Sequence, residues 1–378
     1  MSRCASDIVV RPVSCRREKR DFLDLPWTLY RNDPHWIPPL RADQKGLVGY
    51  RPHPFYEQNE AQTFVAYCRG EVCGRIAAIV NRGHLEQFGE RRGYFGFFEC
   101  VDDRQVAARL FDAVREWLAQ RDLTCLRGPT DPAMDYGIGI LVEGFDSPPT
   151  FLINYNPPYY ADLIEHYGLR KAQDLYSYAL PVSRLAEIEP KLAQAAAQFQ
   201  RHHQVRLRPL SRARYLQDVE EFLDLCNRSS AGQWGYVPMT VAEVRHAARS
   251  LRRLIVPDFA LVVEMGGRPI GAVLAIPDYN PRIKRIDGRL FPWGFVRLLW
   301  QRNRTPRLRV IIASVLPEYQ RVGVALVLLG GLIPPVRRWE IQEIEFSWVA
   351  ESNALSRDSL ERAGAVRIKT HRVYDLGP

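Results

Sequence analysis

Apolar positions along this chain switch between strict alternation and recurrence every three to four residues, and each switch predicts a change of element. Ile8 to Val13 reads as a strand, and Arg16 to Tyr30 as a helix broken near Pro26. Thr63 to Tyr67 and Val72 to Val80 flank Arg69-Gly70 as a hairpin, with Tyr94 to Val101 as the following strand. Val106, Leu110, Val114 and Leu118 recur at helical spacing within Arg104 to Gln120, and Thr124 to Arg127 is the next strand. From Gly128 to Tyr160 neither period holds. Gly, Pro and aromatic residues fill that stretch, which is too long for an idle connector and so points to function.

Arg184 to His203 reads as a linking helix with an alanine-rich middle, after which the pattern starts again. Val205 to Leu210 is a strand, Ala213 to Asn227 and Ala242 to Leu254 are helices, and Phe259 to Met265 with Pro269 to Ile276 form a second hairpin. Leu308 to Leu316 is a strand and Val324 to Trp339 a helix truncated or bent by Pro334-Pro335. Ile344 to Val349, Ala354 to Ala363 and Arg367 to Leu376 close the second copy as strand, helix and strand. The repetition is also literal. Arg11-Pro12-Val13-Ser14 matches Arg208-Pro209-Leu210-Ser211, Gly70 and Gly74 match Gly267 and Gly271, and Tyr178 matches Tyr374. Matches in order at nearly constant spacing argue for duplication. The expected fold is α/β, with domains at 1–182 and 205–378, a linker helix at 183–204, and insertions at 128–160 and 281–307.

At 378 residues the chain has room for two cores. Its seven cysteines form no CxxC pair and no His/Cys cluster at ligand spacing, so neither a disulfide framework nor a metal site is expected. A reduced cytoplasmic setting follows. No secretory signal is legible in Met1 to Arg20, and no apolar run approaches the roughly 18 to 20 residues that cross a bilayer. The net charge of +9 is concentrated: residues 281 to 309 hold nine Arg and Lys against Asp287 alone. An anionic partner fits, whether a nucleotide cofactor, an acidic lipid surface or nucleic acid.

The second copy carries a strand, a turn and a helix at Ser314-Val315-Leu316-Pro317-Glu318-Tyr319-Gln320-Arg321-Val322-Gly323-Val324-Ala325. A helix start offers unpaired N–H groups and a partial positive charge, which suit a phosphate. Gly323 admits close approach of the backbone, and Arg321 adds a cation. At the equivalent place the first copy has Asp102-Asp103, which cap a helix but repel a pyrophosphate. One cofactor site, in the second copy, is expected.

Gln320-x-x-Gly323-x-Ala325 after a strand resembles the acyl-CoA pyrophosphate loop of the GNAT acyltransferase superfamily, and Asn353, eleven residues before Gly364, resembles its second block. Almost the whole chain resembles the tandem-GNAT family that includes bacterial ceramide synthases. The signatures are Asp33-Pro34-His35-Trp36-Ile37-Pro38-Pro39, Gly96-Phe97-Phe98-Glu99, Glu143-Gly144-Phe145-Asp146-Ser147-Pro148-Pro149, Tyr155-Asn156-Pro157-Pro158-Tyr159-Tyr160, Pro277-Asp278-Tyr279-Asn280 and Gly288-Arg289-Leu290-Phe291-Pro292. The resemblance implies two tandem GNAT-like domains, each a mixed, mostly antiparallel sheet flanked by helices. It implies acyl-CoA as co-substrate and N-acylation of a sphingoid base. Ser314 to Leu316, Gln320 to Ala325 and Asn353 become the expected acyl-CoA contacts.

Aminolysis of a thioester needs a neutral amine, a polarised carbonyl and a proton for the thiolate, and positioning supplies much of the rate. Relatives place a carboxylate on the strand before the loop and a Tyr seven residues after the Asn. Here Arg307 to Leu316 has no carboxylate, and the second position is Leu360. Glu345 on the neighbouring strand and Asp278 at the hairpin end are the candidate bases, and Tyr236 is a weaker acid candidate beside Tyr374. In the plainer reading Glu345 faces solvent and Asp278 caps a turn. Asp135, Tyr136, Asn154, Tyr155, Asn156, Tyr159 and Asn280 are the candidate acceptor contacts.

On a helix starting near Pro292, Trp293, Phe295, Val296, Leu298, Leu299 and Trp300 form an apolar stripe, with Arg297, Gln301 and Arg304 opposite. With Phe291, this composition suits contact of Phe291, Trp293, Phe295, Arg297 and Trp300 with an anionic inner-membrane surface. The competing expectation packs the helix on the protein's own core. Two further readings stand beside ceramide synthesis. One is transfer of a short acyl group to a small polar amine, the other a non-catalytic acyl-CoA-binding or nucleic-acid-binding protein.

Overall fold

The computed structural model describes residues 7–320 and 322–377, apart from the side chains of residues 186, 188 and 191. Arg321, expected beside the pyrophosphate, lies outside the described residues. The chain folds as two compact units, and neither is a single stretch. One holds the chain up to Leu175 with Asn280–Phe295 and Lys369 onward, and the other holds Tyr176–Tyr279 with Val296–Ile368. The linker helix, Val182–His203, therefore lies wholly within the second unit.

The first unit contains β1 (Ile8–Pro12), β2 (Glu60–Cys68), β3 (Glu71–Val80), β4 (Arg92–Cys100), β5 (Cys125–Gly128), β6 (Ile140–Glu143) and the start of β7 (Arg170–Pro181). β1 to β4 pair antiparallel in sequence order, and β5 runs parallel to β4. Helix Arg104–Ala119 buries Val106, Leu110, Phe111, Val114 and Leu118 on one apolar cluster, while Phe22 of helix Arg16–Leu29 enters another. Pro26 does not break that helix; it sits buried in its last turns, where the ring joins the core.

The second unit contains β8 (Val205–Pro209), β9 (Ala260–Met265), β10 (Arg268–Pro277), β11 (Arg307–Val315) and β12 (Glu343–Ala350). β8 to β11 are antiparallel neighbours, and β12 is parallel to β11. Helix Val324–Arg338 runs through Pro334-Pro335 without truncation, its buried face including Val324, Val327, Leu328, Leu332 and Val336.

β13 (Val366–Leu376) corrects one expectation. It does not close the second copy, because Thr370–Arg372 pair with β6 and Tyr374–Leu376 with β5, both in the first unit. Arg372 holds Asp174 there through two hydrogen bonds, at 2.8 and 3.1 Å. The sequence reading missed β7 as a strand because Gln173, Asp174 and Ser177 are polar yet buried, which erases the alternation. Cysteines 15, 73, 100, 125 and 226 are free, whereas Cys68 is disulfide-bonded.

In each unit a parallel pair stops early. β4 and β5 pair only from Arg92–Cys125 to Tyr94–Arg127, and the register with β3 shifts between Arg75 and Ala77. The fork that opens is filled by the unit's own backbone. Thr130 N–H donates to Phe95 O at 2.9 Å, the Asp131 carboxylate accepts from Phe97 N–H, and Asp131 N–H returns to Gly137 O at 2.8 Å. Gly96 makes this fit possible: a Cβ there would stand 1.7 Å from Thr130 O. Burial raises the Asp131 carboxyl to about 6. Gly96→Ala is therefore expected to cost about 3 kcal/mol by overpacking against backbone that cannot step aside. Thermal unfolding reads this, and an unchanged midpoint would mean that residues 129–131 do not fill the fork.

Candidate active site

The corresponding fork in the second unit is built differently. β11 pairs with β12 from Arg307–Glu343 to Val310–Phe346 and no further, while its pairing with β10 continues to Val315. A register shift between Leu274 and Ala275 leaves Ile311 as the extra residue on β11, and such bulges bend a strand away from its neighbour. Before the fork Leu308, Arg309 and Val310 are buried; beyond it Ile311 and Ile312 are half-buried and Ala313 is exposed. From β12 the chain passes through Glu351, Ser352 and Asn353 directly into helix Ala354–Arg362.

Alternation decides which amides face the fork. In an antiparallel ladder every second N–H points at the same partner. Leu316 N–H donates to Ile270 O at 3.0 Å, so Ser314 also faces β10, and Ala313 and Val315 face the open side. Of the three expected backbone contacts, only Val315 is directed there. The Ser314 hydroxyl points instead at Cys226 Sγ, 3.5 Å away on helix Tyr215–Ser230.

The loop leaves this edge through a single 3-10 turn, Pro317–Tyr319. Gln320 turns back so that its Nε2 donates to Val315 O at 3.1 Å, pinning the end of β11 to the loop. Gly323 is the N-cap of helix Val324–Arg338 with φ +116°, a backbone conformation that side chains resist. The first ladder bonds come from Leu326 and Val327 to Gly323 O, so the amides of Gly323, Val324 and Ala325 precede the helical ladder and are available to an anion. Val322 is exposed at the loop tip, and Val324 is buried against β10 beside Gly271. The residues present fit a pyrophosphate.

In the first unit the matching helix start is capped by Asp103, whose Oδ1 accepts from Gln105 and Val106 N–H. A carboxylate occupies the place an anion would need.

Asn353 is the N-cap of helix Ala354–Arg362, its side chain accepting from Ser356 N–H at 3.1 Å. Tyr236 donates to Asn227 Oδ1 at 2.6 Å. Glu345 does not face solvent: it is 2% exposed, opposite Arg309 in the β11–β12 register. Asp278 is also buried, its N–H bonded to Arg307 O at 3.0 Å. Arg309, buried opposite Glu345, is a charged side chain that the sequence reading did not single out, because residue type alone suggests a surface position.

Most of the expected acceptor contacts are engaged within the first unit. Asn156 both accepts from Leu141 N–H and donates to Leu141 O, imitating a strand neighbour. Tyr155 donates to Asp33, Tyr159 to Cys100 O, Asn154 to Gly139 O and Asn280 to Pro149 O. Tyr136 packs edge-on against His53 and Phe55, and Asp135 is exposed.

Two known proteins match the chain over nearly its whole length. Protein YghO of Escherichia coli is 31% identical over 373 residues, covering 97% of this chain and 95% of that protein. The bacterial ceramide synthase of Caulobacter vibrioides is 31% identical over 377 residues, covering 98% and 97%. The chain belongs to the bacterial ceramide synthase family. No family model matches it. A tandem GNAT protein of the clavulanic acid biosynthesis pathway superposes with a TM-score of 0.56 at 12% identity, covering 98% of both chains. A GCN5-related N-acetyltransferase from Sphaerobacter thermophilus gives 0.54 at 12% identity, covering 98% of this chain and 95% of that one. The fold is thus a tandem GNAT fold, and the protein is an acyl-CoA-dependent N-acyltransferase.

Gly323→Asp places a carboxylate where the pyrophosphate would sit and a Cβ 2.9 Å from the Phe199 ring. Acyl-CoA affinity, read by calorimetry, is expected to fall about 100-fold, equivalent to about 2.7 kcal/mol. Asp103→Asn in the first unit is expected to leave it unchanged.

Proposed function

We propose that this protein transfers a fatty acyl group from acyl-CoA to the primary amine of a sphingoid long-chain base, working at an anionic membrane surface. The name of the Caulobacter relative supports the substrate class. The observation that carries the reading is the exposure of Phe291 (85%), Trp293 (70%) and Trp300 (67%) within one short segment, with Val296 also exposed. Large apolar side chains held in water are costly, and aromatics among arginines are the composition of a headgroup contact. A small polar amine requires no such surface.

The local structure differs from the expected long helix. Only Gly294–Leu299 is α-helical, followed by a 3-10 turn at Arg302–Arg304, because Gln301 takes a left-handed backbone with φ +51°. Leu298 is buried and Phe295 and Leu299 are half-buried, whereas Phe291, Trp293, Val296, Arg297 and Trp300 are exposed. Among the described residues no helix is long and apolar enough to cross a membrane.

Purified protein is expected to form N-acylsphinganine from sphinganine and a long-chain acyl-CoA, detected by mass spectrometry. No product with any fatty acyl-CoA, together with acetylation of a small polar amine, would replace the substrate reading. Trp293→Ser with Trp300→Ser is expected to weaken binding to phosphatidylglycerol vesicles at least about tenfold while sparing acyl-CoA affinity.

A further inference from the structure

One carboxylate in the second unit is buried without being satisfied. Glu345 Oε1 has no hydrogen-bond partner, and an orphaned acceptor of that kind costs about 1–3 kcal/mol unless a ligand completes it. Its place in the register explains which ligand. Glu345 pairs with Arg309 one step before β11 and β12 part, at the apex of the fork that the acyl-CoA site opens onto.

Arg309 is equally buried and is turned toward Ser347. Its Nε donates to Ser347 Oγ at 2.9 Å and its Nη2 to Ser347 O at 3.2 Å, with the guanidinium 5.2 Å from the Trp348 ring. Ile276 on β10 and Glu345 on β12 both stand opposite Arg309, and Asp278 follows Ile276 by two residues, so the three charges share one face of the sheet. Burial lowers the guanidinium to about 10 while Glu345 and Asp278 pull it upward; at neutral pH it is a fixed cation. The fold thus holds a positive charge near Glu345 and still leaves Oε1 open.

We propose that Glu345 takes the proton from the attacking amine and that Arg309, anchored on Ser347 and opposite Glu345 in the register, is the positioning residue for that carboxylate. The inference rests on the fork as the acyl-CoA site. The amine lone pair forms the C–N bond to the thioester carbonyl carbon, and the C–S bond breaks with its electron pair going to the coenzyme A sulfur. The proton displaced from nitrogen passes to Glu345 and then to the thiolate, so amine and thioester become amide and thiol. No outside oxidant or reductant enters.

The test measures kcat and KM across pH for the full-length protein, with whichever amine the wild type uses fastest among sphinganine, an alkylamine and a polar amine. Failure of the sphingoid-base reading then changes the substrate in the tube, not the comparison between variants. Glu345→Gln is expected to lower kcat about 10²- to 10⁴-fold with acyl-CoA affinity retained. Arg309→Gln is expected to lower kcat about tenfold or more with KM for acyl-CoA unchanged, with Arg309→Lys restoring it in part. A purely structural Arg309 would lower acyl-CoA affinity together with kcat and would not be rescued by Lys. A Glu345→Gln rate within threefold of wild type overturns the proposal, as does an unchanged kcat in Arg309→Gln. Loss of the rate in Asp278→Asn but not in Glu345→Gln transfers the role to Asp278. If Glu345→Gln fails to bind acyl-CoA, Glu345→Asp decides: a kcat reduced about tenfold or more at unchanged KM supports the role, and an unchanged kcat overturns it.

Discussion

The second unit depends on a parallel ladder that ends early. Backbone N–H and C=O groups buried in a sheet need partners, and a strand that loses its neighbour midway must find others or face solvent. β11 loses β12 after Val310, just where Ile311 adds its extra residue, and the strand then carries half-buried and exposed positions in the middle of a sheet. That arrangement is poor structure and good chemistry. It leaves the Ala313 and Val315 amides on the open side, leads into a loop that ends at a helix start, and keeps Arg309 and Glu345 at the closed end.

The first unit shows the same topology with the opposite outcome. Its fork after Tyr94–Arg127 is occupied by residues 129–131, held by Phe95 O and by Phe97 N–H, and its matching helix is capped by Asp103. Each device removes a feature that an acyl-CoA would need: the open strand edge in one case, the free helix start in the other. The freed constraint is used for packing. Glu99, on the same strand, accepts from both Tyr30 and Tyr160 and lies beside Arg75, and burial raises its carboxyl above the ordinary range.

The concentration of basic residues also divides by environment. Arg307 pairs with Glu343 at 3.0 Å, Arg302 donates to Arg253 O, and Arg309 is sealed within the sheet, so these three contribute little to an outward field. Arg297 and Arg304 remain exposed near the aromatic side chains. One run of like charge in the sequence thus supplies a fixed internal cation and an exposed basic surface, separated only by which way each strand or turn directs its side chain.

Much of this was legible from the chain alone. Periodicity located both hairpins and the helices Arg104–Ala119 and Val324–Arg338, because apolar spacing is a local property, and Gly323 with Asp102-Asp103 marked how the two helix starts differ. Resemblance of whole motifs anticipated the tandem GNAT fold. Tertiary structure decided what spacing cannot encode. β7 was hidden by buried polar residues, among them Asp174, which the distant Arg372 holds, and the closing strand joined the first unit because its partners β5 and β6 lie there. Glu345 was a candidate base whose plainer reading was a surface charge, and strand register instead set it opposite Arg309 in the interior. A sequence states which groups a chain owns; which of them lose water, and beside whom, is determined by contacts between residues far apart along it.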